Sequence, residues 1–292
     1  LLFDSMLALV IPLTFIAFLD WRLLPAPVLF MIGFYFTLKR YMRELNPVSI
    51  EQRESFAALN ASLSESVQGI EVIKVPFAEL NAAWAAADKD ESRAIADRWQ
   101  KAAAKVEGVS RETLEQSAAM FLAEKAILKQ HAANAITINC LGGFYGNHIH
   151  AYPCLGFHEL LNEGLVGACE CDQLSTATMV TMTALTQGRP GYISDPVIDT
   201  ASRQIIYAHC VATNRVFGPQ GPANPIEILT HSEDRQGAAV RSLLPVGYMT
   251  TSLKFNPTRK AIVFHQGKAV ANVDDDRACR TKLAAEPVGD IE

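Results

Sequence analysis

A chain of 292 residues with 49% hydrophobic content is long enough to bury one large core or two modest ones. A formal net charge of -5 and a pI near 5.8 give no basic footprint for nucleic acid, which excludes the commonest class of charge-driven binder. Six cysteines (Cys140, Cys154, Cys169, Cys171, Cys210, Cys279) sit largely inside apolar runs, not in a short secreted framework, and predict reduced thiols in a cytoplasmic setting.

The chain opens on Leu1-Leu2 and closes on VGDIE in mid-pattern, so it reads as a fragment. Ser5 to Leu19 and Leu23 to Leu38 carry no charge, and Asp20-Trp21-Arg22 between them suits a tight turn at a membrane surface. Each run is somewhat short against the ~20 residues of a spanning helix, and a pair of buried core helices would read the same way. Lys39, Arg40 and Arg43 follow the second run and place that end in the cytoplasm. Residues 1–43 therefore offer a membrane as one partner. From Glu44 to Val75, Phe56, Leu59, Leu63, Val67 and Ile70 recur at helical steps and predict one long amphipathic helix.

Beyond Pro76 the text is rich in alanine and alternating charge, as in surface helices, with Trp84 and Trp99 covering the core. Ser110 is placed to cap a helix running from Arg111 to His131. Ala135 to Cys140 is short, β-branched and apolar, like a buried parallel strand. It empties into the glycine-bearing loop LGGFYGNHIHAYPC, where His148 and His150 suit sugar hydroxyls, loop hydrogen bonds or metal. A helix follows from Cys154 through Leu161 and ends at Gly164.

Leu165 to Glu170 reads as the next strand, Ser175 to Thr186 as a helix, Pro190 to Ser194 as a strand and Gln204 to Cys210 as another. On a parallel βαβ reading, Glu170 and Asp195 lie side by side at neighbouring strand ends, with His209 at a third. Two carboxylates and an imidazole suit a hard divalent cation such as Mn²⁺ or Mg²⁺. Acidic residues at strand ends also serve as helix caps, and that reading stays open. Strand alternation would turn Cys169 and Cys171 together to the face opposite Glu170, as structural thiols. The segment from Val211 to Ser242 is dense in glycine, proline and polar residues and predicts an extended loop, with Arg215, His231, Glu233, Asp234 and Arg235 able to line a polyol site. VGYMTTSLKF and KAIVFHQGKAVAN read as antiparallel strands separated by Asn256-Pro257, and Asp274 to Arg280 as a charged turn.

Three ordered stretches, CLGGFYGNHIHAYPCLGFHELLNEGLVGACECD, STATMVTMTALTQGRPGYISDP and IIYAHC, resemble the L-fucose/L-arabinose isomerase family, from near Pro76 to Glu292. The resemblance implies a metal-dependent aldose–ketose isomerase with Mn²⁺ or another divalent cation, a small sugar as substrate and a homo-oligomeric assembly. It places Glu170 and Asp195 on the two metal-binding acids that also shuttle the proton. His209 falls on a metal-ligand histidine of the arabinose branch, whereas the fucose branch takes its third ligand from later in the chain. Asp172 and His231 are held in reserve, and His148, His150, His231 and Arg215 are the expected sugar contacts. Residues 1–75, through GIxVIK at Gly69 to Lys74, resemble instead the transmembrane domain of ABC exporters, without any GxxxxGK[ST] loop. The expected architecture is an α-helical membrane hairpin and long helix over 1–75, a partial parallel-sheet α/β domain over 76–212, and a β-rich partial domain over 213–292. A gene-prediction or assembly fusion accounts for such a composite more simply than a bifunctional protein.

Overall fold

The computed structural model describes residues 13–41, 43 and 72–289. The chain divides into two compact units, Leu1–Ala61 and Ser62–Glu292. In the first, Asp20 accepts a hydrogen bond from the Arg22 N–H (2.9 Å) and opens a 3-10 turn, Trp21–Leu23, that runs on into a helix. Trp21–Tyr41 is long and apolar enough to cross a bilayer, and none of its apolar stretch is buried. The expected membrane hairpin is not shown, and most of the amphipathic helix expected over Glu44 to Val75 lies outside the described residues. Its last turn is a strand instead: β1 (Val72–Lys74) pairs in parallel with β3 (Ala135–Thr137), so GIxVIK ends inside the second unit.

Three helices follow β1 in that unit. The first, α1 (Phe77–Ala85), follows Pro76, and α2 (Lys89–Ala102) is capped by Asp88 accepting from the Glu91 N–H (2.8 Å). Ser110 caps α3 (Arg111–Gln130) as expected, accepting from the Thr113 N–H (3.1 Å). Trp99 and Phe121 from α2 and α3 meet in the core, while Trp84 lies at its edge and donates to the Gln116 carbonyl.

A parallel sheet of order β1-β3-β4, with β4 at Val166–Ala168, lies beside α5 (Cys154–Asn162); β3 and β4 are wholly buried, as continuous apolar runs require. The run expected to stay extended to Cys140 turns into a short helix, α4 (Cys140–Tyr145), because Asn139 accepts from the Gly142 N–H (3.2 Å). The last helix, α6 (Gln173–Leu185), follows β4.

The loop expected after Cys210 contains two strands. Ile226–Leu229 (β7) and Ala239–Ser242 (β8) form a sheet with β2 (Lys105–Glu107), in the order β2-β7-β8. Five antiparallel strands make the β-rich region, in the order β5-β6-β11-β10-β9. They are β5 (Asp195–Asp199), β6 (Gln204–His209), β9 (Met249–Asn256), β10 (Ala261–Asn272) and β11 (Thr281–Pro287). This sheet takes strands from both sides of position 212.

One buried group stands against the apolar core. Glu124 on α3 is fully enclosed, neither carboxyl oxygen has a hydrogen-bond partner, and burial pushes its pKa well up. Its carboxyl group occupies the space a Cβ on Gly156 would need. The folded chain holds this proton where the unfolded chain releases it, so the contribution is fully present below the ordinary carboxylate pKa and is lost as pH rises toward the raised value. Urea melts of Glu124→Gln should therefore gain on the parent as pH rises from about 5 to 8, by up to about 1.4 kcal/mol per pH unit. Parallel stability curves for the two proteins would contradict it.

Candidate functional site

Glu170 lies just past the end of β4 and is thrown out of strand geometry. Both Glu170 (φ 66°) and Cys171 (φ 55°) are left-handed, a conformation that side chains of their kind rarely adopt. The Cys171 N–H, donating to the Ile138 carbonyl (3.1 Å), pins this turn to the end of β3. Strict alternation is thereby broken: Cys169 stays in the core and Cys171 is half-buried, so the two thiols do not share a face. All six cysteines are free.

Asp195 arrives by a different route from the one expected. Pro190 to Ser194 forms no strand, and Asp195 is the first residue of β5, opposite Ala208 of β6. Only residues 200–203 connect β5 to β6, a turn held by Asp199 accepting from the Ala201 and Ser202 N–H groups (3.0 and 3.1 Å). A connection that short forces antiparallel pairing, since parallel strands need a crossover. His209 ends β6, opposite Thr281 of β11. The carboxylates therefore meet where the end of a parallel sheet faces an antiparallel one.

The meeting itself is close. One ligand atom from each of Glu170, Asp195 and His209 lies within 4.8 Å of the others. His209 is buried, and its Nε2, 3.9 Å from Asp195 Oδ2, has no hydrogen-bond partner. Burial pushes its pKa down to about 4, against the pull of Asp195, so the ring is neutral at ordinary pH. Partial desolvation and then the charges of Asp195, Glu233 and Asp172 push the Glu170 carboxyl up, with His231 opposing.

Two carboxylates and an orphaned buried nitrogen fit a hard divalent cation. The carboxylates fit as they stand. His209 Nδ1 accepts from the Cys210 N–H (2.9 Å), which leaves the proton of the neutral ring on Nε2. Ligation through Nε2 needs the proton moved to Nδ1 and that bond given up, making His209 the weakest donor of the three.

The remaining expected residues divide. Asp172 caps α6 through the Ser175 N–H (2.9 Å) and pairs with Lys254 (2.7 Å). Although burial pushes its carboxyl up, Lys254 and Ser175 outweigh that and hold it below its usual range. His231 is buried near the cluster, close enough to act on both Glu170 and His209. His148 stacks on Phe77 and His150 lies against Trp84, so their ring contacts go to α1 and not to the acids. Arg215 spends Nη1 on the Pro219 and Gly221 carbonyls (3.2 and 2.9 Å), closing its own loop. Tyr145 and Tyr152, not singled out in the sequence, donate to Glu233 and Asp234 respectively. Their signal is the aromatic spacing in GFYGNHIHAY beside an acidic pair far along the chain.

These features define a mixed α/β protein with a carboxylate pair and an imidazole gathered at one sheet junction. No family model matches the chain. Its similarities are to sugar isomerases: it is 25% identical to the sulfoquinovose isomerase of Priestia megaterium over 205 residues, 67% of this chain and 43% of that protein. Sulfoquinovose isomerase of Alkalicoccus urumqiensis is 27% identical over 101 residues, 34% of this chain and 23% of the relative. The chain thus spans 43% of the Priestia protein's length. Neither similarity is to an exporter.

Proposed function

We propose that this chain carries the proton-transfer centre of a metal-dependent aldose–ketose isomerase, in which Glu170 and Asp195 move hydrogen between C1 and C2 of a sugar. The observation that supports the reading most is the convergence of Glu170, Asp195 and His209 within 4.8 Å from two unrelated sheets. The distant likeness to isomerases of a sulfonated sugar agrees with it.

The proton on C2 of an aldose is too weakly acidic for an unassisted carboxylate at neutral pH. Glu170 and Asp195, with His209 as third donor, would hold a divalent cation such as Mn²⁺, which would supply Lewis-acid polarisation of the substrate oxygens. Glu170, set on the left-handed turn after β4, takes the C2 proton as the enediolate forms and delivers it to C1. Asp195, solvent-exposed and opposite Ala208, receives the O-bound proton and returns it. The left-handed pair Glu170-Cys171 fixes the base in place before substrate arrives.

The full chain loaded with Mn²⁺ should convert at least one member of an aldose panel that includes sulfoquinovose to its ketose. Chelation should stop the conversion and added Mn²⁺ restore it. No ketose from any aldose, together with no deuterium entering C2 from deuterated water, would remove the proposal.

A further inference from the structure

Five of the six thiols meet in two groups. Cys169 hydrogen-bonds to Cys140 and to Cys154, and all three are buried. Cys210 and Cys279 hydrogen-bond to each other, and Cys279 is only half-buried. Cys171 is half-buried as well, but no thiol among the described residues is bonded to it. The second group is therefore the one in which a thiol within reach of solvent already meets another thiol. The pair arises from the way β11 begins. His209 ends β6 opposite Thr281, the first residue of β11, so a ladder continued one step further would set Cys210 opposite Arg280 and turn Cys279 to the other face. The ladder stops at Thr281, and Ala278, just before Cys279, is left-handed (φ 59°), so alternation is broken there and Cys279 returns to Cys210. Arg280 and Lys282 are both buried and close enough to act on Cys210, with Arg280 held by the Thr230 carbonyl (2.7 Å). Positive surroundings and partial exposure mark reactive thiols, as against inert structural ones.

We infer that Cys210 and Cys279 are an oxidation site, at which hydrogen peroxide closes a reversible disulfide between the end of β6 and the segment leading into β11. One sulfur attacks a peroxide oxygen: the S–O bond forms, the O–O bond breaks, and the departing hydroxide takes the thiol proton as water, leaving a sulfenic acid. The other sulfur then attacks the sulfenic sulfur. The S–S bond forms, the S–O bond breaks, and the second hydroxide leaves with the second thiol proton as water. The two thiols together lose two electrons, and one peroxide is reduced to two waters. A small dithiol reverses the change by exchange and is itself oxidised to a disulfide. The bond bears on the carboxylate cluster because the Cys210 N–H donates to His209 Nδ1 (2.9 Å), so the disulfide ties to the β11 side the residue that holds that imidazole. The inference goes beyond the isomerase reading and needs neither sugar nor metal.

The full chain, first reduced and then exposed to stoichiometric hydrogen peroxide, should fall from six free thiols to four when titrated unfolded, two being consumed. Blocking the remaining thiols with iodoacetamide and digesting without reductant should give one dominant crosslinked peptide, joining Cys210 to Cys279 and lighter by two hydrogens than the sum of its parts. Dithiothreitol should remove it. Cys279→Ser should lose this crosslink, whereas Cys171→Ser should keep it. Should Cys279→Ser fail to fold, the crosslink map of the parent decides by itself. Six thiols still free after peroxide, a dominant crosslink through Cys171 or between two chains, or oxidation of Cys279 to the sulfinic acid without a crosslink overturns the inference.

Discussion

Glu170→Gln and Asp195→Asn are each expected to reduce aldose–ketose interconversion by about 100- to 10,000-fold, the range over which a positioned acid or base acts. Both substitutions keep side-chain shape and remove the capacity to take a proton. Glu170→Gln also removes one negative charge from a group crowded by Asp195, Glu233 and Asp172, so the fold should hold or gain slightly. The loss should thus fall on turnover, with thermal melting unchanged or a little higher. Both variants should also bind Mn²⁺ more weakly, which appears as a smaller Mn²⁺-induced rise in melting temperature. Full C2 exchange in both variants would show that the two acids are brought together for some other purpose.

Gly167→Ala should be strongly destabilising to the second unit. A Cβ on Gly167 would collide with Phe157 Cδ1 and sit 2.7 Å from Phe157 Cα. The first of these could swing away, but the second is backbone of α5, which is buried along nearly its whole length and has nowhere to move. Overpacking of this kind costs about 3 kcal/mol at the upper end of its usual range, roughly 6 to 12 °C in melting temperature for a unit of this size. Gly191→Ala is the matched control, since the added methyl would meet nothing within 4 Å and the backbone there is not left-handed. Equal melting temperatures for the two variants would mean that α5 and β4 are not packed as tightly as this geometry requires. Because Gly167 lies in β4, shortly before Glu170, any shift of that strand away from α5 also moves the base.

Much of the helical half was legible because its signals are local. Ser110 and the periodic apolar positions behind it place α3 within a residue, and Cys154 to Gly164 gives α5 and its end. The buried strands β3 and β4 were legible as short apolar runs, and Asn256-Pro257 as the turn between β9 and β10. Less legible were β7 and β8, each four residues long inside glycine- and proline-rich text, where only the pairing of β7 with β2 and of β8 with β7 makes them strands. Val72–Lys74 was obscured in the same way, since three residues at the tail of an amphipathic pattern carry no period of their own. The tautomer of His209 and the contacts of His148, His150 and Arg215 could not be read at all, because each depends on a neighbour distant in the chain or on backbone geometry.

What the amino-acid order determined by itself is the chemistry available: two acids and an imidazole ending apolar segments, flanked by helices with their caps already written in. Whether those groups would meet was decided by tertiary structure. The expected parallel βαβ unit does not form, because residues 190–194 are not a strand and β5 pairs with β6 across the turn at residues 200–203 and not with β4, yet Asp195 and His209 still reach Glu170 because β6 pairs with β11 and α6 ties to β9. Strand direction follows from connection length and from hydrogen bonds between segments far apart, and neither is a property of the local residues that end each strand.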